Sequence, residues 1–427
     1  MNTVDFTTKN NLCISCGLCK AVCPKNCINL NNRYGLFMPF INKAECIQCG
    51  KCFKICPGKG FDYTKFLSEN ENCSFLFGNY KKIYTAWTRN YDRRKNSTSG
   101  GIATELIYQL LENEDYTSAF LIGTYRYNDK LCTKRYVKGD DLNNTQKSRY
   151  LPVSQEEAAS YIISHRNEKV ILIGTGCFVH GIMNIIETYQ LNRENYFIIG
   201  LFCDKTMTLN AVRYFEHHPS LKGKKMDELH FRSKEAGNGW PGGLRIKNVL
   251  KDNIDLPRTE QMKIKDYFQP ELCLYCLDKL NIFSDISVGD NYTGQHSDAL
   301  GSSSIIVRTN IGEKYWNKYA SCFEYYDCDV TSLAKSQKLK KRYWNYLFEK
   351  IKEKQIKGWT INIMGDLISD STVTLKAQIV YNFKLFKISL GKQYPRKRQF
   401  MKLCFIPKSI LLPLKFKMKD IRKRKKR

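Results

Sequence analysis

Cys13-Ile14-Ser15-Cys16-Gly17-Leu18-Cys19-Lys20-Ala21-Val22-Cys23-Pro24 is the stretch that decides the first part of this 427-residue chain. Its spacing, Cys-x2-Cys-x2-Cys-x3-Cys-Pro, recurs 33 positions later from Cys46 to Pro57. Three thiolates with two residues between each pair can bind one 4Fe-4S cluster from a single tight loop, while the fourth thiolate of the run faces the neighbouring cluster. The sequence therefore predicts one cluster on Cys13, Cys16, Cys19 and Cys56, and a second on Cys46, Cys49, Cys52 and Cys23.

Structural zinc is the alternative for these eight cysteines, but the spacing is tighter than that of paired zinc knuckles, and residues 1–60 contain no histidine. Bacterial two-cluster ferredoxins carry this run, so we predict a two-cluster 4Fe-4S ferredoxin domain over residues 1–60, with Cys27 outside the pattern. The unit holds eight Lys or Arg against Asp5 and Glu45. We therefore expect an acidic electron carrier, ferredoxin or flavodoxin, as a partner.

Composition bounds the remainder of the chain. Hydrophobic residues make up 42% and charged residues 26%, which is typical of a globular protein and excludes a disordered one. No apolar run approaches the roughly 18 residues that a membrane span needs, and the first residues do not resemble a signal peptide. Eighteen cysteines in a chain of this kind indicate metal ligation rather than disulfides. We predict a cytoplasmic protein.

The sequence divides into further regions after the first domain. Residues 61–82 are expected to be a linker, and from residue 83 short β-rich runs alternate with helical stretches, which predicts an α/β domain up to residue 330. Residues 331–427 are Lys-rich and helical in pattern, and we place them in a peripheral region. The predicted fold class is thus mixed α+β and α/β: a ferredoxin-like domain, a larger α/β domain and a basic helical C-terminal region.

Four more cysteines are candidates for a second kind of site. Cys177 follows the predicted buried strand 170–174, and Cys203 ends the strand that begins at Tyr196. The carboxyl ends of parallel strands open onto one crevice, so these thiols can lie side by side. Cys273 and Cys276 offer two more thiolates from one loop. A third 4Fe-4S cluster, a zinc ion and inert thiols are all open on this spacing.

A loop rich in small polar residues predicts an anion site. Arg93-Arg94-Lys95-Asn96-Ser97-Thr98-Ser99-Gly100-Gly101 precedes a helical run, where glycines and hydroxyls at a helix start can hold a diphosphate. An N-capped helix without a ligand is the alternative. Thr175-Gly176 is a second, weaker phosphate or ring contact. Iron–sulfur clusters carry single electrons, so a flavin is the expected partner for two-electron chemistry.

Together these elements resemble the coenzyme F420 hydrogenase/dehydrogenase beta-subunit family over roughly residues 1–330. The resemblance rests on six segments: Ser97 to Gly101, Ser148-Arg149-Tyr150, Gly174-Thr175-Gly176-Cys177, Phe202-Cys203-Asp204-Lys205, Cys273-x2-Cys276 and Ser284 to Asp290. It implies a third 4Fe-4S cluster on Cys177, Cys203, Cys273 and Cys276 beside a bound FAD. The FAD contacts that it implies are Ser97, Ser99, Gly100, Gly101, Ser148, Thr175 and Gly176.

The sequence departs from the family pattern around the crevice. Gly176 stands where the family has Pro, Phe178 where it has Gln, and Asp204-Lys205 where it has His-Gly. The substrate is therefore left open: a small-molecule or sugar-type substrate is expected, the sugar type because bacterial relatives of this build are associated with cell-surface polysaccharide biosynthesis. No catalytic residue is assigned, and His180 is a candidate proton donor, with a structural core histidine as the alternative.

The function predicted from the sequence is an iron–sulfur flavoprotein oxidoreductase that passes electrons from a ferredoxin-type donor through 4Fe-4S clusters to FAD and an organic substrate. The alternatives are an electron-transfer subunit without its own substrate and a non-enzymatic zinc and nucleic-acid-binding protein. Residues 381–427 hold 17 Lys or Arg against one acid, Asp420. We expect this tail to allow peripheral contact with an anionic inner-membrane face, and we expect no specific nucleic-acid partner.

Overall fold

The computed structural model describes residues 2–63, 76–126, 128–356, 362–363, 373–397 and 399. Its strands are β1 Ile28–Arg33, β2 Leu36–Ile41, β3 Phe61–Asp62, β4 Lys82–Thr88, β5 Ser118–Ile122, β6 Thr133–Tyr136, β7 Val170–Thr175, β8 Tyr196–Leu201, β9 Met226–Ser233, β10 Gly243–Asn248, β11 Asn253–Leu256, β12 Ile286–Asp290, β13 Ser303–Val307, β14 Phe323–Asp327 and β15 Asn362–Ile363.

The α-helices in these ranges are α1 Asp5–Lys9, α2 Leu18–Ala21, α3 Lys51–Lys54, α4 Tyr91–Asn96, α5 Ile102–Glu112, α6 Glu156–Ser164, α7 Gly176–Tyr189, α8 Asn210–Glu216, α9 Arg258–Ile264, α10 Asn310–Lys318, α11 Val330–Ser336, α12 Arg342–Gln355 and α13 Leu375–Lys392. The fold is mixed α/β with a ferredoxin-type unit at its N-terminal end, so the predicted fold class is confirmed.

An eight-stranded mixed sheet dominates the fold, in the order β14-β4-β13-β12-β8-β7-β5-β6. Strands β12, β8, β7 and β5 are parallel neighbours, whereas β13, β4, β14 and β6 pair antiparallel to their neighbours. Buried runs such as Val170-Ile171-Leu172 in β7 suit a strand covered on both faces. Because β13 is antiparallel to both β12 and β4, the carboxyl end of β4 shares an edge of the sheet with those of β12, β8 and β7.

The two faces of this sheet are covered by different elements. One face packs against α5 and α10, through residues such as Leu106, Leu110 and Trp316. The other face packs against α6 and α7, and the ferredoxin-type unit joins the same core through Leu18 and Ile55. A methyl group at Gly181 of α7 would lie 2.2 Å from Leu18 Cδ1, so this glycine permits the close approach of the unit. The cysteine loops are therefore held against the large sheet.

Three smaller sheets complete the described strands, and the first is the antiparallel pair of β1 and β2 in the ferredoxin-type unit. β9, β10 and β11 form an antiparallel sheet that packs on α8, and the short strands β3 and β15 pair in parallel. Within the described part of residues 331–427, the helices are α11, a 3-10 turn at Leu339–Lys341, α12 and α13.

The C-terminal helices are not peripheral, contrary to expectation. α12 and α13 share a core with Leu12, which precedes the first cysteine loop, and with Tyr275, which lies between Cys273 and Cys276. The Tyr275 and Tyr381 hydroxyls are 2.9 Å apart, and Lys352 donates to Glu271 at 2.9 Å. Sequence periodicity could not indicate this packing because it involves contacts that are distant along the chain.

No helix in the described part is both long and apolar enough to cross a bilayer.

Candidate functional site

The two cysteine loops of the N-terminal unit repeat the same backbone conformation. Ser15 and Gly17 have φ angles of 66° and 75°, and Gln48 and Gly50, each 33 positions later, have 52° and 72°. Each glycine directly precedes a four-residue helix, α2 or α3. Alternating right-handed and left-handed residues turn successive N–H groups toward one concavity, which suits an anionic cluster. The duplication in the sequence is therefore also a duplication of backbone conformation.

The second quartet surrounds a pocket. Cys23, Cys46, Cys49 and Cys52 all line it, together with Thr3, Pro24, Lys25, Cys27, Ile28, Ile41, Ile47, Gln48 and Gly50. The pocket encloses about 350 Å³ of space, part of it open to solvent. Cys23 reaches it from the first loop, as the spacing predicts. Cys27, which had no place in the pattern, is also here, with its Sγ 3.4 Å from that of Cys23.

The first quartet is more deeply enclosed. Burial raises the pKa of the Cys19 thiol well above its ordinary value, and the charges of Cys16, Cys56 and Cys13 raise it further. These are the other three members of the predicted quartet. Cys56 comes from the second loop and lies 3.9 Å from the Thr7 hydroxyl. Four thiols in mutual electrostatic contact lose their protons together most readily when they bind a metal cluster.

The third set of cysteines also converges. Cys177 is the second residue of α7, directly after β7, and Cys203 lies two residues past β8, so the adjacent parallel strands present both thiols at one edge. Burial raises the pKa of Cys203, and the charges of Cys273, Cys177 and Cys276 add to the effect. The structure therefore brings together all four cysteines of the predicted third quartet.

The three quartets form a series with the first in the middle. The charge of Cys177, a member of the third quartet, raises the pKa of Cys16, although burial and the charge of Cys56 have larger effects. The charge of Cys52, a member of the second quartet, acts in the same direction on Cys19. Members of the first quartet thus lie within electrostatic reach of both others.

Sequence reasoning missed two residues that hold the third quartet. Arg342, at the start of α12, is buried and donates to the carbonyl oxygens of Cys203 at 2.7 Å, Cys276 at 3.2 Å and Asp204 at 3.3 Å. Asn345 donates to the carbonyl oxygens of Cys276 at 2.9 Å and Cys273 at 3.3 Å. Both lie in the region that we had expected to be peripheral, and nothing in their local sequence distinguishes them from its other polar residues.

The predicted anion loop lies between α4 and α5, past the carboxyl end of β4. The Ser99 hydroxyl donates to the Ser302 carbonyl at 2.5 Å, and the Gly100 N–H donates to the Ser303 hydroxyl at 3.0 Å. A methyl group at Gly100 would lie 2.5 Å from the Ala86 carbonyl oxygen. These contacts fasten the loop to β4 and β13, so Gly100 has a packing reason of its own.

The other predicted flavin contacts fall at two places. Ser148 joins the loop, because its N–H donates to the Thr98 hydroxyl at 2.9 Å. Thr175 and Gly176 lie instead at the third quartet: the Thr175 hydroxyl is 3.2 Å from Cys177 Sγ, and a methyl group at Gly176 would meet the Asp278 carboxylate. Four strand spacings of about 4.8 Å separate β4 from β7, so a ligand that touches both places spans about 19 Å.

Two buried cations at the same edge were not predicted. The Arg232 side chain is 1% exposed, and its Nη1 donates to Asp290 at 2.8 Å and to the Tyr150 hydroxyl at 3.2 Å. Its Nη2 has no hydrogen-bond partner among the described residues. Lys234 donates to the carbonyl oxygens of Arg94 at 2.5 Å and Ser99 at 2.9 Å, and burial lowers its pKa to about 8. Such groups offer donors to an anionic ligand.

His180 is part of a buried pair. Its Nε2 is 2.9 Å from Asp278 Oδ2, and the ring stacks on Phe61 with centroids 4.0 Å apart. The Asp278 side chain is fully buried. Burial has the largest effect on the Cys276 thiol and raises its pKa; the Arg342 charge lowers that pKa, and the Asp278 charge raises it. The environment is that of a core histidine held beside the third quartet.

Single metal ions are a separate question. Among the described side chains, no three His, Cys, Asp or Glu lie close enough together to hold one ion. A four-iron cluster binds each thiolate to a different iron atom, so its ligands are spaced more widely than those of one ion. This finding therefore concerns single-ion sites alone.

Comparison with known families gives two matches. Residues 167–342 match the family described as the C terminus of the beta subunit of coenzyme F420 hydrogenase/dehydrogenase. Residues 12–59 match the 4Fe-4S dicluster domain, and they contain all eight cysteines of the first two quartets. The second match favours iron–sulfur clusters over zinc for these residues.

Three curated proteins are similar to this chain over much of its length. A subunit of the F(420)H(2) dehydrogenase of Methanosarcina mazei is 23% identical over 72% of this chain and 82% of the relative. The beta subunit of the coenzyme F420 hydrogenase of Methanococcus voltae is 22% identical over 57% of this chain and 82% of the relative. The coenzyme F420-dependent sulfite reductase of Methanocaldococcus jannaschii is 23% identical over 72% of this chain, but the chain spans only 46% of that protein.

Proposed function

We propose that this chain is an FAD-dependent iron–sulfur oxidoreductase. Its residues 167–342 match the coenzyme F420 hydrogenase/dehydrogenase beta-subunit family, and its residues 12–59 match the 4Fe-4S dicluster domain. The observation that carries the proposal is the series of three cysteine quartets, which leads from the open pocket of the second quartet to the sheet edge. When bound, 4Fe-4S clusters would supply one-electron carriers and FAD a two-electron centre.

The chain's own contribution at the clusters is placement and shielding. The second quartet lies at a solvent-open pocket lined by Lys25, which suits contact with an acidic carrier such as ferredoxin or flavodoxin. In the first quartet Cys19 is buried and the other three cysteines are half-buried, and the third quartet is fastened by Arg342 and Asn345. Enclosure of the inner quartets excludes water and favours transfer along the series over loss to solvent oxidants.

Two features support FAD at the carboxyl edge of the large sheet. Lys234 places positive charge at the Ser97–Gly101 loop, and Arg232, which contacts Tyr150, has a donor to spare on Nη2 among the described contacts. A ligand that reaches from this loop to Thr175 beside the third quartet must be long, as a dinucleotide is. Diphosphate suits the cationic end and the flavin ring the end near the cysteines.

The organic acceptor belongs to the same proposal. The names of the three relatives refer to F420, but Gly176, Asp204 and Lys205 of this chain lie at the third quartet, where the sequence departs from the family pattern. We propose a small sugar-type molecule of cell-surface polysaccharide biosynthesis as the acceptor. If the purified chain turned over F420, F420 would be the acceptor in place of the sugar-type molecule. The cluster and flavin assignments would be unchanged.

Anaerobic purification followed by flavin quantitation tests the cofactor. We expect about one FAD per chain, reducible by dithionite through the clusters. Arg232→Gln and Lys234→Gln should each lower FAD content at least tenfold while the iron content is unchanged. Arg213→Gln, which removes the same charge from an exposed position on α8, is the matched control. Full retention of FAD in both variants, or none in the wild-type protein, would contradict the proposal.

A second candidate function is an electron-transfer subunit without a substrate of its own. Two of the relatives are named as subunits, which favours this candidate. The isolated chain, supplied with reduced ferredoxin, separates the two. Reduction of a small organic acceptor supports the oxidoreductase, whereas electron exchange with carrier proteins alone supports the subunit.

A further inference from the structure

Helix α13 presents one face to solvent that would ordinarily be buried. Leu375, Ile379 and Phe383 are 77%, 60% and 56% exposed, and they follow one another at intervals of four residues. Residues four apart lie on one face of a helix, so these side chains form a continuous apolar row. Exposed apolar side chains that occur singly need no explanation, but a contiguous row indicates an interaction surface.

The opposite face fixes the direction of this row. Ala377, Tyr381 and Ile388 are buried in the core that α13 shares with α12 and with Tyr275. Successive residues of a helix are rotated by about 100° about its axis, so these buried positions lie about 180° around the helix from the apolar row. The helix therefore packs on the protein with one face, and the row lies on the opposite face. The surface therefore needs no rearrangement of the helix in order to meet a partner.

The charge on the helix itself is of one sign. Lys376 is exposed beside Leu375, and the Lys387 ammonium lies 4.8 Å from the centre of the Phe383 ring and 3.9 Å from the Asp266 carboxylate, which belongs to another segment. Residues 373–397 contain six Lys or Arg and no Asp or Glu. Lysine stems can lie along apolar surface while their ammonium groups reach a polar layer. An apolar row with a basic flank matches a surface that is apolar inside and anionic outside.

We propose that α13 is an in-plane docking helix for an anionic lipid bilayer, with Leu375, Ile379 and Phe383 inserted among the acyl chains and Lys376 at the headgroups. Side chains that project from a convex helix suit a fluid apolar layer, whereas a protein partner needs a preformed groove of matching shape. The site lies outside residues 167–342 and does not depend on the redox proposal.

The sequence predicts membrane contact in the tail from residue 381 onward, and the contact that we propose lies nearer the start of α13. Within the tail, Phe383 and Phe386 are exposed, but Tyr394 is 4% exposed and packs in the core of the three-stranded sheet. Phe400, Phe405, Phe416 and the leucines at 411, 412 and 414 lie outside the described residues. The row begins at Leu375, which precedes the tail of residues 381–427.

Vesicle sedimentation with the full chain tests the proposal. The vesicles contain phosphatidylcholine with none or about 30% phosphatidylglycerol, at about 0.1 M salt. We expect binding to the anionic vesicles, at least a tenfold loss in the Ile379→Glu/Phe383→Glu variant and about a fivefold loss in Lys376→Gln. Val249→Glu/Leu250→Glu is the matched control, because both residues are exposed apolar side chains at the β10–β11 turn, and it should bind within twofold of wild type.

The visible absorption of the iron–sulfur clusters, measured in each variant, shows that the fold is retained. Equal vesicle binding by wild type and Ile379→Glu/Phe383→Glu would assign any binding to the basic tail and overturn the proposal. Absence of wild-type binding to anionic vesicles would also overturn it. If the wild-type protein bound an immobilised acidic protein and not the vesicles, the face would be a protein interface, and the proposal would again be wrong.

Discussion

The Arg342 guanidinium donates to the backbone carbonyl of Cys203 across a distance of 2.7 Å, although the two residues are 139 positions apart. The same group also donates to the carbonyls of Asp204 and Cys276. One buried cation thus joins two of the three segments that supply the third quartet. A bound 4Fe-4S cluster with four thiolates is anionic, so a cation at this place would also stabilise its charge.

Replacement of Arg342 by Met should damage the third site selectively. Three carbonyl oxygens lose a donor, and we expect the free energy of unfolding to fall by about 2–4 kcal/mol. Iron content should fall by about four atoms per chain, the content of one cluster. Colorimetric iron analysis and thermal unfolding under anaerobic conditions measure both effects. Arg213→Met is the control, and equal iron in the two variants would show that Arg342 does not hold the site.

Gly17 should be sensitive to any side chain. Its φ of 75° costs about 1 kcal/mol for a residue other than glycine, and a methyl group would lie 2.5 Å from Ser154 Oγ. We expect Gly17→Ala to destabilise the protein by about 1–3 kcal/mol and to lower the iron content. Gly139, with φ 83° and no atom within 4 Å of the added methyl group, controls for backbone strain. The Gly139→Ala variant should lose about 1 kcal/mol and no iron.

FAD affinity should depend on pH through Lys234. Burial lowers the pKa of Lys234 to about 8, so the side chain is charged below that pH and becomes neutral above it. A bound diphosphate favours the charged form, so affinity should be level below about pH 8 and should fall by up to about tenfold for each pH unit above it. Fluorescence titration of FAD across this range measures the effect. Lys234→Arg stays charged and should flatten the profile, and an identical slope in this variant would exclude Lys234.

The pair of His180 and Asp278 should contribute to stability rather than to proton transfer. Removal of the imidazole in His180→Leu leaves a fully buried carboxylate without this partner, and we expect a loss of about 2–4 kcal/mol. In His180→Leu/Asp278→Asn the loss should be smaller than the sum of the single variants. Denaturant unfolding of the four proteins completes the cycle. A fall in turnover at constant FAD, iron and stability in His180→Gln would instead assign the proton donor to His180.

The cysteine chemistry was predictable because the ligands are close together in sequence. Spacing alone paired Cys23 with the second loop and Cys56 with the first, and the structure places them there. Cys177 and Cys203 could be placed because parallel strands present their carboxyl ends at one edge. The ferredoxin-type unit and the α/β sheet are confirmed for the same reason, since both follow from local patterns.

Contacts between distant segments were out of reach. Arg342 and Asn345 are ordinary polar residues in a Lys-rich stretch, and only the packing of α12 on the loop of Cys273 makes them important. Arg232 lies in β9 of a separate small sheet, so no local pattern connects it with Asp290. The glycines at 100 and 101 predicted a ligand site, but a methyl group at Gly100 would meet atoms of β4 and β13. Close packing against these strands is therefore enough to require glycine there.

Iron and acid-labile sulfide per chain, measured on anaerobically purified full-length protein, test the central claim that the three quartets each hold a 4Fe-4S cluster. The account predicts about twelve iron and twelve sulfide in the wild-type protein, and about eight of each in Cys273→Ser/Cys276→Ser with the ferredoxin-type signals retained. About eight iron atoms in the wild-type protein, unchanged by the double substitution, would contradict it.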